Sequence, residues 1–415
     1  MKAGKSILLV LFTLAVTAYG SPEPNSLIKL RDYLAYAETH NAGLISKKQQ
    51  WIAALEDVPQ AKALPDPQVK YDYWTKQSDL QMKQTIEVMQ MFPWFGKIDA
   101  RTEAAIKTAA SAQQEYQAAR LELLREVKEN FYEFAYLAKA IKIAIENVEL
   151  LKHFEAVART KYTAAEAGQP DVIRAQVELA KMEYTLRSLE PLRKPIASKL
   201  LKILTLPKDM NLPWPEVEEF NVAPLDYERL AATLRQKNPE LAGLDLEVLA
   251  AKSRIELAKK NFYPDIGVGV MWENMDKPGR DGVAMVFQMN LPLWRSSYSA
   301  GQRQAEALTI SKTQEKIDTE NTLLAKAAQS YYDYGDSIRR IQLYRDTLIP
   351  KSEELLQASE TAYKAGTIDF FALIDSQRLL LDYHLSHERA LADNRQKLAE
   401  LEMLAGAELV SEGTN

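Results

Sequence analysis

Two stretches of this chain, LREVKENFYEFAYLAKAIKIAIENV at 124–148 and LAKAAQSYYDYGDSIRRIQLYRDTL at 324–348, carry one apolar seam in two copies. The first copy reads Leu124, Val127, Phe131, Phe134, Ala138, Ile141, Ile145, Val148. The second reads Leu324, Ala327, Tyr331, Tyr334, Ile338, Ile341, Arg345, Leu348, and each pair lies 200 residues apart. The spacing alternates three and four, the 3.5-residue period of a coiled coil rather than of a globular stripe. A long helix is therefore expected in each copy, at about 98–165 and 297–365. At ~1.5 Å per residue each is on the order of 100 Å long. Pro350 interrupts the second and is expected to kink it. Return helices are expected over about 170–205 and 370–405. Rods of this length need neighbours side by side.

The duplication extends outward from the seam. Upstream, Asn41…Leu64-Pro65-Asp66 and Phe92-Pro93-Trp94-Phe95 match Asn238-Pro239…Tyr263-Pro264-Asp265 and Leu291-Pro292-Leu293-Trp294. The prolines are offset by 199, the asparagines by 197, and Gln176 and Gln377 by 201, so small insertions separate two collinear copies. The expected organisation is a first repeat at 21–205, a connector at 206–224, a second repeat at 225–406 and a disordered tail at 407–415. The connector is irregular because it holds Pro207, Pro213, Pro215 and Pro224.

Each copy carries one strand-like stretch between a short helix and the long one, at about 67–91 and 265–291. Val69, Tyr71 and Tyr73 alternate with Lys70 and Asp72, and Ile86 and Val88 with Thr85 and Glu87. Ile266, Val268, Val270 and Trp272 alternate with glycines and Met271; Val283, Met285, Phe287, Met289 and Leu291 alternate with Ala284, Val286, Gln288 and Asn290. Period-two alternation at ~10 residues per strand fits a membrane barrel with a polar lumen. It also fits a soluble four-stranded sheet capping a helical bundle. Four of the six tryptophans, Trp74, Trp94, Trp272 and Trp294, flank these strands, the residue type favoured at a membrane interface. Four strands cannot close a barrel. If they span a bilayer, two chains would supply eight strands and three would supply twelve.

Lys2 and Lys5 precede an apolar run from Ile7 to Val16, and Ala18-Tyr19-Gly20 follows, so residues 1–20 read as a signal peptide cleaved before Ser21. Cysteine is absent, which rules out disulfides and a lipidated cysteine. Past the signal segment no run of 18 apolar residues appears, so a membrane crossing would have to use strands. A net charge of -5 gives no footprint for nucleic acid.

No catalytic constellation, P-loop or nucleotide-binding glycine motif is present, and no cofactor is expected. His384 and His387 lie one turn apart on a helix but have no clustered third ligand, so a metal site is not expected. Seven of eleven methionines (Met82, Met89, Met91, Met271, Met275, Met285, Met289) lie in or beside the strands. Thioethers could line a soft-metal path, but gap-filling packing is the favoured reading.

The order of these motifs carries a resemblance: an Asn-Pro start, Pro-Asp, a strand pair, Phe-Pro-Trp-x-Gly-Lys at Phe92 to Lys97, a long helix, a Tyr-x-x-Gly tip, Asp-x-x-x-Ala-Gln, and a closing Leu-x-x-Leu-x-Gly. Over nearly all of the mature chain it resembles the TolC-type outer-membrane efflux proteins. The resemblance implies a mainly α fold with membrane β-hairpins, two tandem repeats of coiled-coil helices, and a homotrimer with a 12-stranded barrel in outer-membrane lipid. It also implies a helical tube in the periplasm, engaged by a periplasmic adaptor and an inner-membrane pump. The chain would then be a passive exit duct for drugs or heavy-metal cations. Adaptor contacts would fall at Gly168, Asp171, Gly366, Thr367, Ile368 and Asp369, and Asp375 would contribute to an acidic periplasmic aperture. The sequence departs from the family pattern at Ala165, where glycine is usual, and at Ala372, where a second acidic residue is usual. A soluble periplasmic coiled-coil scaffold is the competing reading.

Overall fold

The computed structural model describes residues 27–75, 82–217, 225–275 and 281–409. The signal segment expected at 1–20, positions 218–224 of the expected connector with Pro224, and positions 410–415 of the expected tail lie outside them.

In the first repeat, α1 (Leu30–His40) and α2 (Ala42–Lys62) precede the hairpin β1 (Gln68–Tyr73) and β2 (Met82–Phe92). Next come α3 (Lys97–Thr163), α4 (Gln169–Leu189) and α5 (Arg193–Leu204). The second repeat follows the same order: α6 (Tyr227–Lys237), α7 (Pro239–Lys260), β3 (Ile266–Met275), β4 (Gly282–Met289), α8 (Arg295–Leu343), α9 (Ile349–Lys364) and α10 (Phe370–Ala405). Helix α3 runs for 67 residues without a glycine or proline, so no backbone hydrogen bond of its interior is lost.

The second long rod is broken, and the break precedes Pro350. Residues Tyr344–Leu348 form a π-helical turn between α8 and α9. Pro350 has no N–H to offer the carbonyl of Asp346, and its ring crowds that carbonyl, so the turn containing Asp346 widens. The first return segment, expected as one helix over 170–205, is also divided. A 3-10 turn at Glu190–Leu192 separates α4 from α5, because Pro191 cannot donate to Arg187.

The seam departs from the expected one partway along each rod. Val127, Phe131, Phe134 and Val148 are buried as expected, but Leu137, Ala140 and Ala144 fill the interval, while Ile145 is 45% exposed. In the second rod the buried stripe is Leu323, Ala327, Ser330, Tyr334, Ser337 and Ile341. Arg345 falls in the π turn, faces solvent and pairs with Asp346. Adjacent stripes of a 3.5 pattern are both partly apolar, and the partner helix decides which one is covered.

Helix α2 packs on α3, α3 on α7, and α7 on α8. The sheet has the same order, β1-β2-β3-β4, all antiparallel. Since α2 leads into β1, β2 into α3, α7 into β3 and β4 into α8, the helical wall continues the sheet rod by strand. Towards the other end α4 packs on α3, and α10 packs on α3, α8 and α9.

Two asparagines brace the middle of the wall in equivalent ways. Asn41 Oδ1 accepts from Leu44 N at 2.8 Å while its Nδ2 donates to Ile203 O at 2.7 Å. Asn238 Oδ1 accepts from Leu241 N at 3.1 Å, and its Nδ2 donates to Leu404 O at 2.9 Å. Each caps the second short helix of its repeat and holds the end of the return helix. One core joins α1, α3 and α5 through Tyr33, Phe131, Phe134, Leu200 and Leu204. Its counterpart in the second repeat joins α6, α7, α8 and α10 through Leu230, Leu234, Tyr334, Leu401 and Leu404. A third core, with Phe154, Tyr363 and Phe370, joins the ends of the rods. Each of these aromatics contributes roughly 2–3 kcal/mol by burial. Trp214, in the irregular stretch after α5, lies against Phe134 at 4.8 Å under the Arg193 guanidinium.

Candidate functional site: a two-faced sheet and paired helix tips

Strand pairing assigns every side chain of the sheet to one of two faces. Val69, Val88, Val270 and Met285 follow one another across the register, as do Tyr71, Ile86, Trp272 and Val283 in alternating pairs. This face also carries Tyr73, Phe92, Ile266, Val268, Phe287 and Met289, and is apolar apart from Gln84, Gln90 and Asn274. It is bare: Val283 is 73% exposed and Phe287 70%. An exposed apolar sheet of this extent belongs against lipid or another apolar surface.

The opposite face carries Lys70, Asp72, Thr85, Glu87, Glu273 and Gln288 with Met89, Met91, Met271, Gly267 and Gly269. Lys70 and Asp72 form an ion pair at 2.9 Å. Met89 is buried because it lies over the glycines: a Cβ on Gly267 would sit 2.7 Å from the Met91 sulfur and 3.1 Å from that of Met89. These two thioethers fill the space left by Gly267. The side chains of Met82 and Met275 lie outside the described residues.

The tryptophans stand at two levels. Trp74 and Trp272 are near the hairpin loops, where Trp74 N donates to Lys83 O at 3.1 Å. Trp94 and Trp294 stand where strands give way to helices. From the level of Lys83 to Trp94 is ~11 residues of strand, about 36 Å along the chain. Trp94 stacks on Tyr263 with ring centroids 5.3 Å apart, whereas Trp294 is 78% exposed.

Between sheet and helices the two repeats are tied by Asp265. Its Oδ1 accepts from Trp94 N at 2.8 Å and from Lys97 Nζ at 2.7 Å, and Lys97 also donates to Tyr263 O at 3.0 Å. Gly96 makes the turn at φ 79, with Lys260 so close beneath it that a Cβ would be 2.9 Å from the lysine chain.

The two tips share one turn geometry. Ala165 adopts φ 59 and Gly366 φ 76, so alanine takes the left-handed position usually given to glycine. Glu166 N donates to Lys161 O at 2.8 Å, and Thr367 N to Ala362 O at 2.9 Å, closing both helices alike. Gly168 is an extended N-cap with no side chain, and Pro170 stands in the first turn of the helix it opens; Asp369 is the equivalent N-cap and accepts from Ala372 N at 2.9 Å. Ala372 is thus the residue whose N–H is capped. Thr367 Oγ1 donates to Ala362 O at 3.0 Å, and Ile368 packs against the core at the rod ends. The tips touch each other: Lys161 lies over the Tyr363 ring at 5.6 Å and Arg174 over Phe371 at 5.4 Å. Burial pushes the Asp171 carboxyl up, with Arg174 opposing and Asp369 adding to the shift. Burial, then the Asp171 charge, pushes the Tyr363 hydroxyl up to about 12.

Asp375 is exposed on α10, while Leu373, Ile374, Ser376 and Gln377 beside it are buried. Close to it lies an inter-repeat tie, in which Glu178 of α4 binds Arg378 of α10 and Lys181. Burial works to raise the Glu178 carboxyl, but hydrogen bonds from Arg378 and Lys181 outweigh it and hold it below the ordinary range. Neither this pair nor Lys97–Asp265 is visible in the seam periodicity. Glu178 and Arg378 do stand 200 residues apart, one repeat length. His384 lies 4.0 Å from Glu353, and among the described residues no group of three or more His, Cys, Asp or Glu could hold a metal ion. Also among them, no helix is long and apolar enough to cross a membrane.

Similar proteins have this architecture and length. The cobalt-zinc-cadmium resistance protein CzcC of Cupriavidus metallidurans is 23% identical over 402 residues, covering 91% of this chain and 90% of CzcC. The fold matches CusC, which forms a transmembrane channel, with a TM-score of 0.79 at 13% identity, over 91% of this chain and 92% of that one. It matches the outer membrane protein VceC of Vibrio cholerae with a TM-score of 0.74 at 16% identity, over 92% and 97% of the two chains. The outer membrane efflux protein family model matches twice, at residues 36–203 and 230–407, once per repeat, and the chain belongs to that family.

Proposed function

We propose that this chain is one subunit of a passive exit duct, the outer-membrane part of a tripartite efflux system. The single observation that carries this reading is the two-faced sheet standing on a helical wall of the same order. One face is apolar and bare, the other holds charges and amides, and both edge strands lack a partner. Bare strand edges in lipid are prohibitively costly, so the sheet must close with further copies. Three copies give the twelve strands of the family's barrel. The helices would then line a periplasmic tube, with the adaptor and inner-membrane pump at the tips formed by Gly168, Asp171 and Gly366 to Asp369. Asp375, exposed on α10 just past the second tip, would contribute one carboxylate per copy to an acidic aperture that attracts cations. The four tryptophans would mark the two lipid interfaces.

The cargo class proposed is drugs or heavy-metal cations; CzcC is a metal resistance protein, and energy and selection would come from the pump. The test is fractionation of the expressed chain followed by mass measurement in detergent. A protein that stays with the outer membrane and has three times the monomer mass is expected. A monomer released with the periplasmic contents would instead favour the soluble scaffold.

A further inference from the structure

The internal duplication is close enough to specify how one copy meets the next. Moving both strands of the β1–β2 hairpin forward by 199 residues turns Val69↔Val88 into Val268↔Phe287 and Tyr71↔Ile86 into Val270↔Met285, which are the observed β3–β4 pairs. The two hairpins therefore have one register. Within the chain the hairpins join through β2 and β3, with Val88↔Val270, Met89↔Gly269 and Gln90↔Val268. The remaining edges, β4 and β1, are the equivalents of β2 and β3 after the same shift.

The tie at the base of the sheet has a vacant counterpart. Asp265 stands just before β3 and binds Trp94 N and Lys97, which follow β2. Its equivalent before β1 is Asp66, which is exposed and has no hydrogen-bond or ion-pair partner among the described residues. After β4 stand Trp294 and Arg295, both exposed, and Arg295 likewise forms no ion pair among the described residues. Leu64 occupies the place of Tyr263, the residue on which Trp94 stacks, and is 45% exposed. A bare acidic group, a bare basic group and two bare apolar side chains are thus distributed over the two open edges.

We propose that a second copy of this chain adds its β4 to β1 in the register of the internal β2–β3 junction, pairing Phe287 with Tyr71, Gln288 with Lys70 and Met289 with Val69. Arg295 of that copy then pairs with Asp66, its Trp294 N–H donates to the same carboxylate, and its indole covers Leu64. All three strand pairs keep apolar side chains on the apolar face and polar ones on the other. A one-residue slip would reverse that for the whole strand. Arg295 takes the role of Lys97 from a different position in the turn, because Trp294 follows Pro292 by one residue more than Trp94 follows Pro93. The inference rests on the reading of the chain as one part of a closed barrel.

The native chain has no cysteine, so engineered pairs have no background. A chain carrying Lys70→Cys with Gln288→Cys is expected to form covalent oligomers on mild oxidation, since directly opposed residues have Cα atoms ~4.5–5.5 Å apart. Lys70→Cys with Val286→Cys, or with Asn290→Cys, places the thiols on the same face two residues out of register and is expected to stay uncoupled. Cross-linking by either shifted pair in preference to the first overturns the proposed register. An oligomer of the right mass that the first pair cannot link overturns it too, leaving the duct reading intact; a monomer by light scattering in detergent sinks both. For the ion pair, Asp66→Arg and Arg295→Asp alone are each expected to lose the SDS-resistant oligomer at a temperature where the native chain keeps it. The double variant D66R/R295D is expected to regain it. A double variant no better than the singles removes the ion pair from the interface.

Discussion

Lys97 and Asp265, 168 residues apart, meet at 2.7 Å where the sheet joins the helical wall, and through them the first repeat grips the second. The lysine side chain is only 11% exposed and the carboxylate 25%, so this pair is shielded from solvent more than most ion pairs of the wall. Asp265 also holds the N–H of Trp94, which no strand or helix bond satisfies.

Removing the carboxylate with Asp265→Ala leaves the Trp94 N–H unmet and the Lys97 ammonium without a counter-charge, held by the Tyr263 carbonyl alone. The expected cost is about 2 kcal/mol, below the range for fully buried pairs because water still reaches the site. Lys97→Met should cost less, since Trp94 N keeps its acceptor and the new side chain fills the lysine's space. Thermal unfolding in detergent measures both, and equal costs would show that Trp94 gains nothing from Asp265.

The assignment of sheet faces is tested by adjacent substitutions on β4. Phe287→Arg puts a charge on the apolar face and is expected to cost ~2–4 kcal/mol if that position lies near the bilayer centre, reducing the amount of assembled protein. Gln288→Glu, one residue on and on the polar face opposite the neighbouring copy's Lys70 in the proposed register, is expected to leave assembly intact. Equal loss from both would contradict the lipid assignment.

At the first tip, Ala165 holds a left-handed backbone at φ 59 that costs an alanine roughly 1–2 kcal/mol. Ala165→Gly is expected to stabilise that turn by up to ~1 kcal/mol, and Gly366→Ala to destabilise the other by a similar amount. Hydrogen exchange of the amides of Glu166 and Thr367, which close the two helices, reads the change locally.

The tie between Glu178 and Arg378 carries a pH signature. The folded state holds the Glu178 carboxyl below its usual range, so the tie contributes stability above the ordinary glutamate pKa of ~4.3. That contribution is lost as pH falls through the lowered folded value. The melting temperature of Glu178→Gln should lie below that of the native chain at pH 7, and the gap should close on acidification below about pH 4. A gap that persists unchanged into acid would mean that packing, not charge, holds α4 to α10.

Much of the architecture follows from the sequence alone. The two copies, the rod lengths and the strand alternation are properties of residues within a few positions of one another. Side-chain direction repeats every 3.5 or 2 residues whatever the chain later touches. That the two hairpins share one register is also implicit, because the same strands recur 199 residues on, but the register itself comes from the structure. What the tertiary structure decided are choices between locally equal options. Ile145 and Ala144 both lie on apolar stripes of α3, and the helices packed against that rod choose which is covered. Pro350 announces a break, but the turn that yields is the one containing Asp346, where the missing bond would have ended. Lys97 reads as a first-turn lysine until the fold brings Asp265 to it. Contacts across such separations depend on which rods lie side by side, and no local period encodes that order. The α2-α3-α7-α8 order and the matching β1-β2-β3-β4 order exist only once both repeats have docked, and they leave Asp66 and Arg295 on opposite open edges.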